Sequence, residues 1–500
     1  MVKRLKLSYE QTKIIFSNNR INLALAVPGS GKTTVLVERA QRLEKEGKVL
    51  VLTFSKRATE DITKRLVFTE KDCRIQTIHS WCLDVLTSAW DDLGRFFGST
   101  EWPDAPIVLD EEEEYKFLEK HFPDEKNQKI FESIKKFRMF GIPPEQAYNL
   151  SNQGVSLGKT ETKDLQFWKE YESFRQLKGL VTFDDMPHYA KQAFLVSAAA
   201  RKHLDWDHFL LDEAQDTSVS QWDAISSLTM NVKTALFVGD ANQRIYGWRG
   251  ADGSIMTKVE RMKESTIYTL SQSFRSSQEV ANLANSLVGD KKTKIYTEKV
   301  GGSISTNGFE TIEDEVAHVI NNLQPDSVIL ARTNSYLEPF ERELIRRNIP
   351  YSGAGFYKSD HIKGLVSLLE KDPTVLIAKT LFLDNERFSK IHRQDFELAF
   401  ELIDSVGVEE FLKRARPQST TTSTVTLLTG HGAKGLEWNN VFVVGVSAGV
   451  IPHRLSSDQL EERNILYVMV SRARDNTHIT FTKQPSSFLI EANLLNGKYE

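Results

Sequence analysis

The stretch "LALAVPGSGKTTVLVERA", residues 23–40, joins a short apolar run to a glycine-rich turn and then to a helical pattern. The apolar run at 23–27 is typical of a strand that is buried on both faces. Residues 26–33 follow the phosphate-loop spacing G-x-x-x-x-G-K-[ST], with Ala26 in place of the first glycine. We therefore predict a nucleoside triphosphate site at this turn, an ordinary strand-to-helix turn being the alternative.

The residue types of this turn suit phosphate chemistry. Gly29 and Gly31 lack a β-carbon, so backbone N–H groups can converge on an anion. The helix that begins near Lys32 directs its N-terminus at the same place. We expect Lys32 to reach the β- and γ-phosphates and the Thr33 hydroxyl to bind Mg²⁺. The predicted nucleotide-binding residues of the loop are Pro28, Gly29, Ser30, Gly31, Lys32, Thr33 and Thr34.

A second apolar run, at 209–211, is followed by "DEAQDT", residues 212–217. Two adjacent carboxylates after a buried strand are costly unless they meet a cation or take part in catalysis. Beside a phosphate loop, we expect Asp212 to hold Mg²⁺ and Glu213 to orient and deprotonate the attacking water. A surface turn is the alternative interpretation.

A third apolar run ends in Gly239 and Asp240 and opens a polar, aromatic loop within "TALFVGDANQRIYGWRGA", residues 234–251. Gln243 is a candidate sensor of the γ-phosphate. Aromatic rings beside a guanidinium can stack on unpaired bases, at about 1–3 kcal/mol per base. Tyr246, Trp248 and Arg249 fit that role, although the two aromatic residues also fit a core.

The composition is that of an ordinary globular chain, with 40% apolar and 26% charged residues, and 500 residues predict two to four domains. No apolar stretch reaches the roughly 18 residues of a membrane span, and the basic N-terminus lacks the apolar segment of a secretory signal. The only cysteines, Cys73 and Cys82, form no zinc site or disulfide framework and predict a reducing cytoplasm.

The net charge of −4 excludes a strongly basic nucleic-acid-binding protein, so any DNA site has to be a local basic groove. Acidic residues collect in "DEEEE", residues 110–114. We interpret this run as a solvated helix start, where negative charge favours the helix dipole. A metal cluster is the alternative.

The order of these motifs resembles that of the UvrD/PcrA/Rep-type DNA helicases of superfamily 1, and the resemblance runs from about residue 7 to residue 491. The other segments that carry it are "LSYEQTKII" (7–15), "VLTFSKRATEDITKRL" (51–66), "IQTIHSWC" (75–82), "LSQSFRSS" (270–277), "ILARTNSYLEPFERELIRRNIPY" (329–351), "TLLTGHGAKGLEW" (426–438) and "EERNILYVMVSRARD" (461–475). The resemblance implies an α/β fold of two RecA-like P-loop NTPase lobes with mainly helical insertions. It also implies ATP and Mg²⁺ as cofactors.

The resemblance further implies a division of the chain into discontinuous lobes. The expected parts are lobe 1A at 1–90 and 205–265, insertion 1B at 91–204, lobe 2A at 266–363 and 422–500, and a reduced 2B insertion at 364–421. The 2B segment is much smaller than in well-studied members, which makes this chain a compact member.

Roles at the ATP site follow from the resemblance for five further residues. Gln11 would read the adenine edge and Phe274 would stack on adenine, while Glu437 would bind the ribose. Arg275 and Arg472 are similar to the two arginine fingers of the family, so ATP would lie between the lobes. A surface salt bridge is the alternative for either arginine.

The resemblance also assigns contacts with single-stranded DNA, for which the aromatic and histidine residues have ordinary core alternatives. The candidates are Phe54, His79, Phe183, Tyr246, Trp248, Arg249, Arg332, Asn334 and His431.

Three functions remain open on the sequence alone. The first is an ATP-driven helicase and translocase on single-stranded or tailed duplex DNA, with 3′-to-5′ polarity implied only by the resemblance. The second is a DNA-stimulated ATPase that acts as a sensor or regulator in a partner complex. The small 2B segment suggests such a partner, for instance a nuclease of an antiviral defence system or a replication or repair factor. The third, a helicase–nuclease, is disfavoured because we expect no nuclease domain after residue 475.

Overall fold

A computed structural model of the chain describes residues 6–66, 72–99, 102–124, 162–289, 293–383, 390–415 and 425–495, with residues 127, 131, 134, 135 and 138. The chain divides into two compact units, Met1–Ser271 and Gln272–Glu500. In these described ranges, no helix is long and apolar enough to cross a membrane.

The first unit is built on a parallel sheet of six strands with an additional pair of short strands. The strands of this unit are β1 (Ile21–Ala26), β2 (Val49–Thr53), β3 (Cys73–Thr77), β4 (Ile107–Leu109), β5 (Leu180–Thr182), β6 (His208–Leu211), β7 (Thr234–Gly239) and β8 (Ser265–Leu270). The large sheet has the order β3-β2-β6-β7-β1-β8, and β4 pairs with β5. All residues of β2, β6 and β7 are buried, as expected where helices cover both faces of a parallel sheet.

Successive residues of each strand enter different cores, because side chains alternate across a strand. Leu50 and Leu52 belong to one apolar cluster, whereas Val49 and Val51 belong to the other. The helices that supply these clusters and the rest of the unit are α1 (Tyr9–Ile15), α2 (Lys32–Leu43), α3 (Lys56–Arg65), α4 (Ile78–Ser88), α5 (Trp90–Phe97), α6 (Glu111–His121), α7 (Thr162–Leu177), α8 (Asp185–Val196), α9 (Ala198–Arg201), α10 (Val219–Ile225) and α11 (Ser254–Glu260).

Within 91–204, the segment expected to form insertion 1B, the described residues contain a small helical core and a buried ion network. Arg138 Nη2 lies 2.7 Å from Glu114 Oε1, and Arg175 Nη1 lies 2.5 Å from Asp185 Oδ2. Asp185 also accepts hydrogen bonds from the backbone and hydroxyl of Thr182, at 2.9 and 2.8 Å. The network therefore fixes the turn between β5 and α8. Residues 139–161 lie outside the described ranges.

The acidic run begins a helix, as predicted. Asp110 caps α6, and Asp110 and Glu113 form a reciprocal capping box. In the described part of the chain, no group of three or more His, Cys, Asp or Glu side chains could hold a metal ion, so the alternative of a metal cluster has no support there.

The second unit is also built on a parallel six-stranded sheet. Its strands are β9 (Ser303–Phe309), β10 (Ser327–Ala331), β11 (Tyr351–Gly353), β12 (Val425–Thr429), β13 (Trp438–Val443) and β14 (Ala473–Thr482). Their order is β11-β12-β10-β13-β14-β9. The helices are α12 (Gln278–Ser286), α13 (Ile312–Asn321), α14 (Asn334–Arg346), α15 (Asp360–Lys371), α16 (Val375–Leu383), α17 (Lys390–Val406), α18 (Val408–Ala415), α19 (Gln459–Val470) and α20 (Ser487–Glu491).

The described residues of the inserted segment of the second unit form helices and the short connections between them. Helices α15 to α18 pack around a core that includes Ile362, Leu365, Phe396 and Phe411, and Ile345 of α14 joins it. Residues 416–424, at the end of the expected 2B insertion, lie outside the described ranges. Two parallel sheets with helical insertions confirm the predicted α/β fold class.

One predicted boundary differs from the structure. Residues 266–270, assigned to lobe 2A from the sequence, continue β8, which pairs with β1 along its whole length in the first sheet. The first unit accordingly extends to Ser271. A parallel edge strand after a helix has the same local sequence pattern in either lobe, so only the pairing reveals which sheet it joins.

Candidate functional site

The phosphate loop connects β1 to α2 in the conformation that its glycines permit. Gly31 has φ +79°, and a β-carbon there would lie 2.6 Å from Gln11 Nε2. That amide nitrogen donates a hydrogen bond to the Ser30 carbonyl, at 3.0 Å, so Gln11 contacts the loop. Gly31 is also the N-cap of α2, and no side chain caps this helix. The first-turn N–H groups are therefore available to an anion.

Lys32 and Glu213 meet at the carboxyl edge of the sheet. Lys32 Nζ lies 3.1 Å from Glu213 Oε1 and 3.2 Å from Oε2. Burial lowers the pKa of Lys32, but the charges of Glu213, Asp240 and Asp212 outweigh it, and the pKa is raised. Lys32 is therefore charged, and it is held among three carboxylates that follow β6 and β7.

The two carboxylates after β6 have different surroundings. Asp212 is buried, and burial together with the charge of Glu213 raises its pKa, while Lys32 opposes the shift. Its Oδ1 accepts a hydrogen bond from the Glu213 N–H, at 3.0 Å. Glu213 has φ +50°, an uncommon conformation for a residue with a side chain. Strained backbone of this kind clusters at functional sites, and here it turns the Glu213 carboxylate toward Lys32.

Gln215 connects the ends of two strands, a role that the sequence analysis missed. Its Nε2 donates to Glu213 Oε2 at 2.5 Å, and its Oε1 accepts from the Asp240 N–H at 3.0 Å. Asp240 Oδ2 in turn accepts from Gln243 Nε2, at 2.7 Å. The available signal was a polar residue inside "DEAQDT". Its partner Glu213 is only two residues away, but its other partner, Asp240, follows β7 and is distant in sequence.

The residues of this edge fit a magnesium–nucleotide complex. The uncapped helix, the glycines and the buried ammonium of Lys32 suit phosphate, and Ser30 Oγ is a buried atom without a hydrogen-bond partner in the described ranges. Thr33 in the first turn of α2 and Asp212 offer oxygen ligands, which Mg²⁺ prefers. Pro28, Gly29 and Thr34 lie in or directly after the same loop. Bound Mg²⁺ would supply charge neutralisation of the phosphates.

In the second unit, Arg275 and Glu437 form an ion pair with each other. Arg474, which was not predicted, also binds Glu437 with its Nη2, at 2.8 Å. Burial raises the pKa of Glu437, but the charges of Arg275 and Arg474 outweigh it, so the pKa is lowered. Glu437 is thus an acceptor already shared by two cations. Phe274, next to Arg275, is exposed.

Arg472 is buried, with 1% of its surface exposed, and its guanidinium is bonded inside the second unit. Its Nε donates to the Val468 carbonyl at 2.9 Å, and its Nη2 donates to Ser471 Oγ at 3.0 Å. An arginine finger has to reach phosphate, so Arg472 would have to exchange these bonds before acting as one.

Most of the predicted DNA contacts of the first unit surround one cavity of about 380 Å³. Those that line it are Phe54, His79, Phe183, Trp248 and Arg249. The His79 and Phe183 rings meet edge to face, with centroids 5.8 Å apart, and the Arg249 guanidinium lies 4.7 Å above the Trp248 ring. Tyr246 stacks on Phe54 at 5.2 Å. Phe183 and Trp248 remain half exposed, as rings that accept a ligand should be.

The predicted DNA contacts of the second unit lie at the carboxyl ends of two adjacent strands. Arg332 follows β10 and His431 follows β12, which pair in parallel, while the exposed Asn334 begins α14. Arg332 is bound by Glu462, with Nη2 to Oε1 at 2.8 Å and Nε to Oε2 at 3.0 Å. Arg332 can bind a phosphate only in competition with this buried carboxylate.

Comparison with known proteins identifies the family. The UvrD/REP helicase N-terminal domain matches residues 7–264, and the UvrD-like helicase C-terminal domain matches residues 387–484. The chain belongs to the UvrD/REP helicase family. This confirms the resemblance inferred from the motif order, and domains of this family are RecA-like P-loop folds.

Three curated relatives cover nearly the whole chain. A probable DNA helicase II homolog of Mycoplasma capricolum is 24% identical, over 95% of this chain and 84% of the relative. ATP-dependent DNA helicase PcrA of Staphylococcus epidermidis is 24% identical, over 94% and 82%. DNA helicase II of Rickettsia typhi is 23% identical, over 96% and 93%. The first alignment spans 621 positions and is thus longer than this chain, so that relative carries segments that this compact member lacks.

Gln215 gives a direct test of the geometry at this edge. We expect Gln215→Ala to lower the kcat of ATP hydrolysis about 10- to 100-fold with little change in KM for ATP, because the Glu213 carboxylate loses the amide that orients it. Steady-state rates over a range of ATP concentrations measure both constants.

The matched control is Gln192→Ala, which removes an amide that bonds to His188 elsewhere in the first unit. An increase in KM with kcat unchanged would show that Gln215 supports nucleotide binding instead of orienting Glu213.

Proposed function

We propose that this chain is an ATP-dependent DNA helicase and translocase that hydrolyses MgATP and moves 3′-to-5′ along single-stranded DNA. The observation that carries the proposal is the arrangement at one edge of the first sheet. Lys32, Glu213 and Gln215 lie at the carboxyl ends of its strands, and Phe54, His79 and Trp248, which line part of the aromatic cavity, follow strands at the same edge. The 3′-to-5′ polarity rests on family resemblance alone.

Both cysteines are free, which agrees with a reducing cytoplasm as the site of action.

Lys32 and Glu213 have complementary roles in this proposal. In the structure the ammonium of Lys32 neutralises the Glu213 carboxylate. When Lys32 turns to phosphate oxygens, Glu213 is released from the ion pair but stays bonded to Gln215. Glu213 can then hold the attacking water and accept its proton. Hydrolysis is suppressed as long as Lys32 occupies that carboxylate.

A short loop provides a path from nucleotide to DNA inside the first unit. Gln243, the candidate phosphate sensor, is bonded to Asp240 at the start of this loop, and Tyr246 and Trp248 follow within the same loop. Tyr246 stacks on Phe54, which follows β2. A change at Asp240 and Gln243 is therefore transmitted over a few residues to the rings that contact bases.

Unwinding of tailed duplexes tests the proposal. We expect a duplex with a 3′ single-stranded tail to be unwound in the presence of MgATP, and a duplex with a 5′ tail to be unwound far more slowly. Lys32→Ala is the matched control and is expected to unwind neither, because it removes the phosphate-binding ammonium. Release of a fluorescent strand measures the rate.

Two results would contradict parts of the proposal. Preferential unwinding of the 5′-tailed duplex would reverse the polarity. DNA-stimulated ATP hydrolysis without unwinding of either duplex would favour a sensor or regulatory ATPase that needs a partner protein.

Trp248 offers a test of the DNA contact. We expect Trp248→Ala to weaken binding of single-stranded DNA about 10-fold and to lower DNA-stimulated ATP hydrolysis, with ATP hydrolysis in the absence of DNA unchanged, because stacking on one base is lost. Phe96→Ala is the matched control, since both side chains are 56% exposed and Phe96 lies away from the cavity. Equal effects of the two substitutions would exclude a specific role of Trp248.

A further inference from the structure

The cavity that holds the predicted DNA contacts is acidic as well as aromatic. Among the described residues that line it are five carboxylates but only two cationic side chains. One of these cations, Lys135, forms an ion pair with Glu111, and the other, Arg249, lies over the Trp248 ring. Burial and the charge of Arg249 lower the pKa of His79 to about 4, so His79 is neutral near pH 7. A phosphodiester is therefore a poor occupant of this cavity, whereas a neutral base is a suitable one.

Four of the five carboxylates already have donors. Asp110 accepts from the Glu113 N–H, Glu111 pairs with Lys135, Glu114 pairs with Arg138, and Asp216 accepts from Gln215. The fifth, Asp184, has no hydrogen-bond donor on its carboxylate in the described part of the chain. It lies directly after Phe183, in the turn that the Arg175–Asp185 ion pair fixes.

The Asp184 carboxylate is an acceptor without a partner inside this cavity. Burial, opposed by the charge of Arg138, raises the pKa of Asp184 to about 6, so the group is mostly ionised at pH 7.5 and accepts hydrogen bonds only. The side chain is partly exposed, so water solvates the carboxylate until a ligand displaces that water. A ligand that replaces this water without loss of hydrogen bonds has to combine a flat π-face for Phe183 and Trp248 with N–H donors on its edge.

We propose that Asp184 reads the edge of a base in the cavity and gives this chain a preference for guanine over thymine in single-stranded DNA. Guanine is the DNA base that presents two adjacent N–H donors, N1–H and N2–H, as a planar fork that matches both oxygens of a carboxylate, as an arginine does. Thymine presents one N–H between two carbonyls, which a carboxylate repels. Adenine and cytosine offer one amino donor each from their exocyclic nitrogens.

This inference rests on the proposed function, since it names the base that the helicase would hold in its first unit. It makes a prediction that sequence-tolerant stacking alone does not make, because every base has a π-face. The size of the cavity, about 380 Å³, lies in the range of about 300–1,000 Å³ that holds small organic groups.

Fluorescence anisotropy with labelled single strands tests it. The probes are an oligothymidylate and three strands of the same length in which isolated thymines are replaced at regular intervals by guanine, by hypoxanthine or by adenine. Isolated replacements prevent the guanines from forming four-stranded structures. For the unmodified protein we expect the guanine strand to bind about 10-fold more tightly than oligothymidylate, with hypoxanthine, which keeps N1–H but lacks the 2-amino group, intermediate.

Two variants separate base reading from a general change of charge. Asp184→Asn is expected to lose the preference for guanine while it binds oligothymidylate at least as tightly as the unmodified protein. Asp223→Asn removes one exposed carboxylate from α10, where it pairs with Lys191, and is expected to keep the preference. Retained binding of oligothymidylate shows that each variant is folded.

The outcomes distinguish this inference from the function on which it rests. Tight binding of all four strands with equal affinity, or a preference for guanine that survives in Asp184→Asn, would overturn the role of Asp184 and leave the helicase proposal intact. Failure of the unmodified protein to bind any strand would overturn the proposed function and this inference with it.

Discussion

The ion pair between Lys32 and Glu213 is the interaction on which the proposed function of the first unit depends. It joins the phosphate loop after β1 to the acidic turn after β6, although β7 lies between these strands in the sheet. Gln215 joins the ends of the adjacent strands β6 and β7 by bonding Glu213 and the backbone of Asp240. A parallel sheet brings the carboxyl ends of all its strands to one edge. Short loops at that edge can therefore place the Lys32 ammonium, the candidate general base Glu213 and the candidate metal ligand Asp212 close together.

This edge of the first sheet also explains why the candidate nucleotide-binding residues lie close to the candidate DNA contacts. Phe54 follows β2, and Tyr246, Trp248 and Arg249 follow β7. Asp240, the first residue after β7, is one of the three carboxylates around Lys32. In the second unit the candidates separate differently. Arg332 and His431 follow the carboxyl ends of β10 and β12, whereas Glu437 and Arg472 precede β13 and β14 and thus lie at the opposite edge. The two sheets share an architecture but distribute their candidate functional residues differently.

The sequence predicted what is encoded locally. The phosphate loop, the carboxylates after a buried strand and the helix start at 110–114 each need only adjacent residues, and the structure contains all three. Gln215 could not be assigned because one of its partners, Asp240, follows β7, and the sequence does not show β6 and β7 to be neighbours. Three other features also depend on contacts that the local sequence does not show. They are the hydrogen bonds of the buried Arg472, the second cation on Glu437, and the strand pairing that extends the first unit to residue 271. The role proposed for Asp184 was not predicted because an aspartate in a turn is ordinarily solvated.

The central claim is that Glu213, set against Lys32, is the base of a DNA-driven ATPase. The rate of ATP hydrolysis by the isolated chain, with and without single-stranded DNA and beside Glu213→Gln, tests it most directly. The account predicts strong stimulation by DNA and a loss of about 10²- to 10⁴-fold in the variant, as expected when a general base is removed. A Glu213→Gln variant that hydrolyses ATP at the rate of the unmodified protein would contradict it.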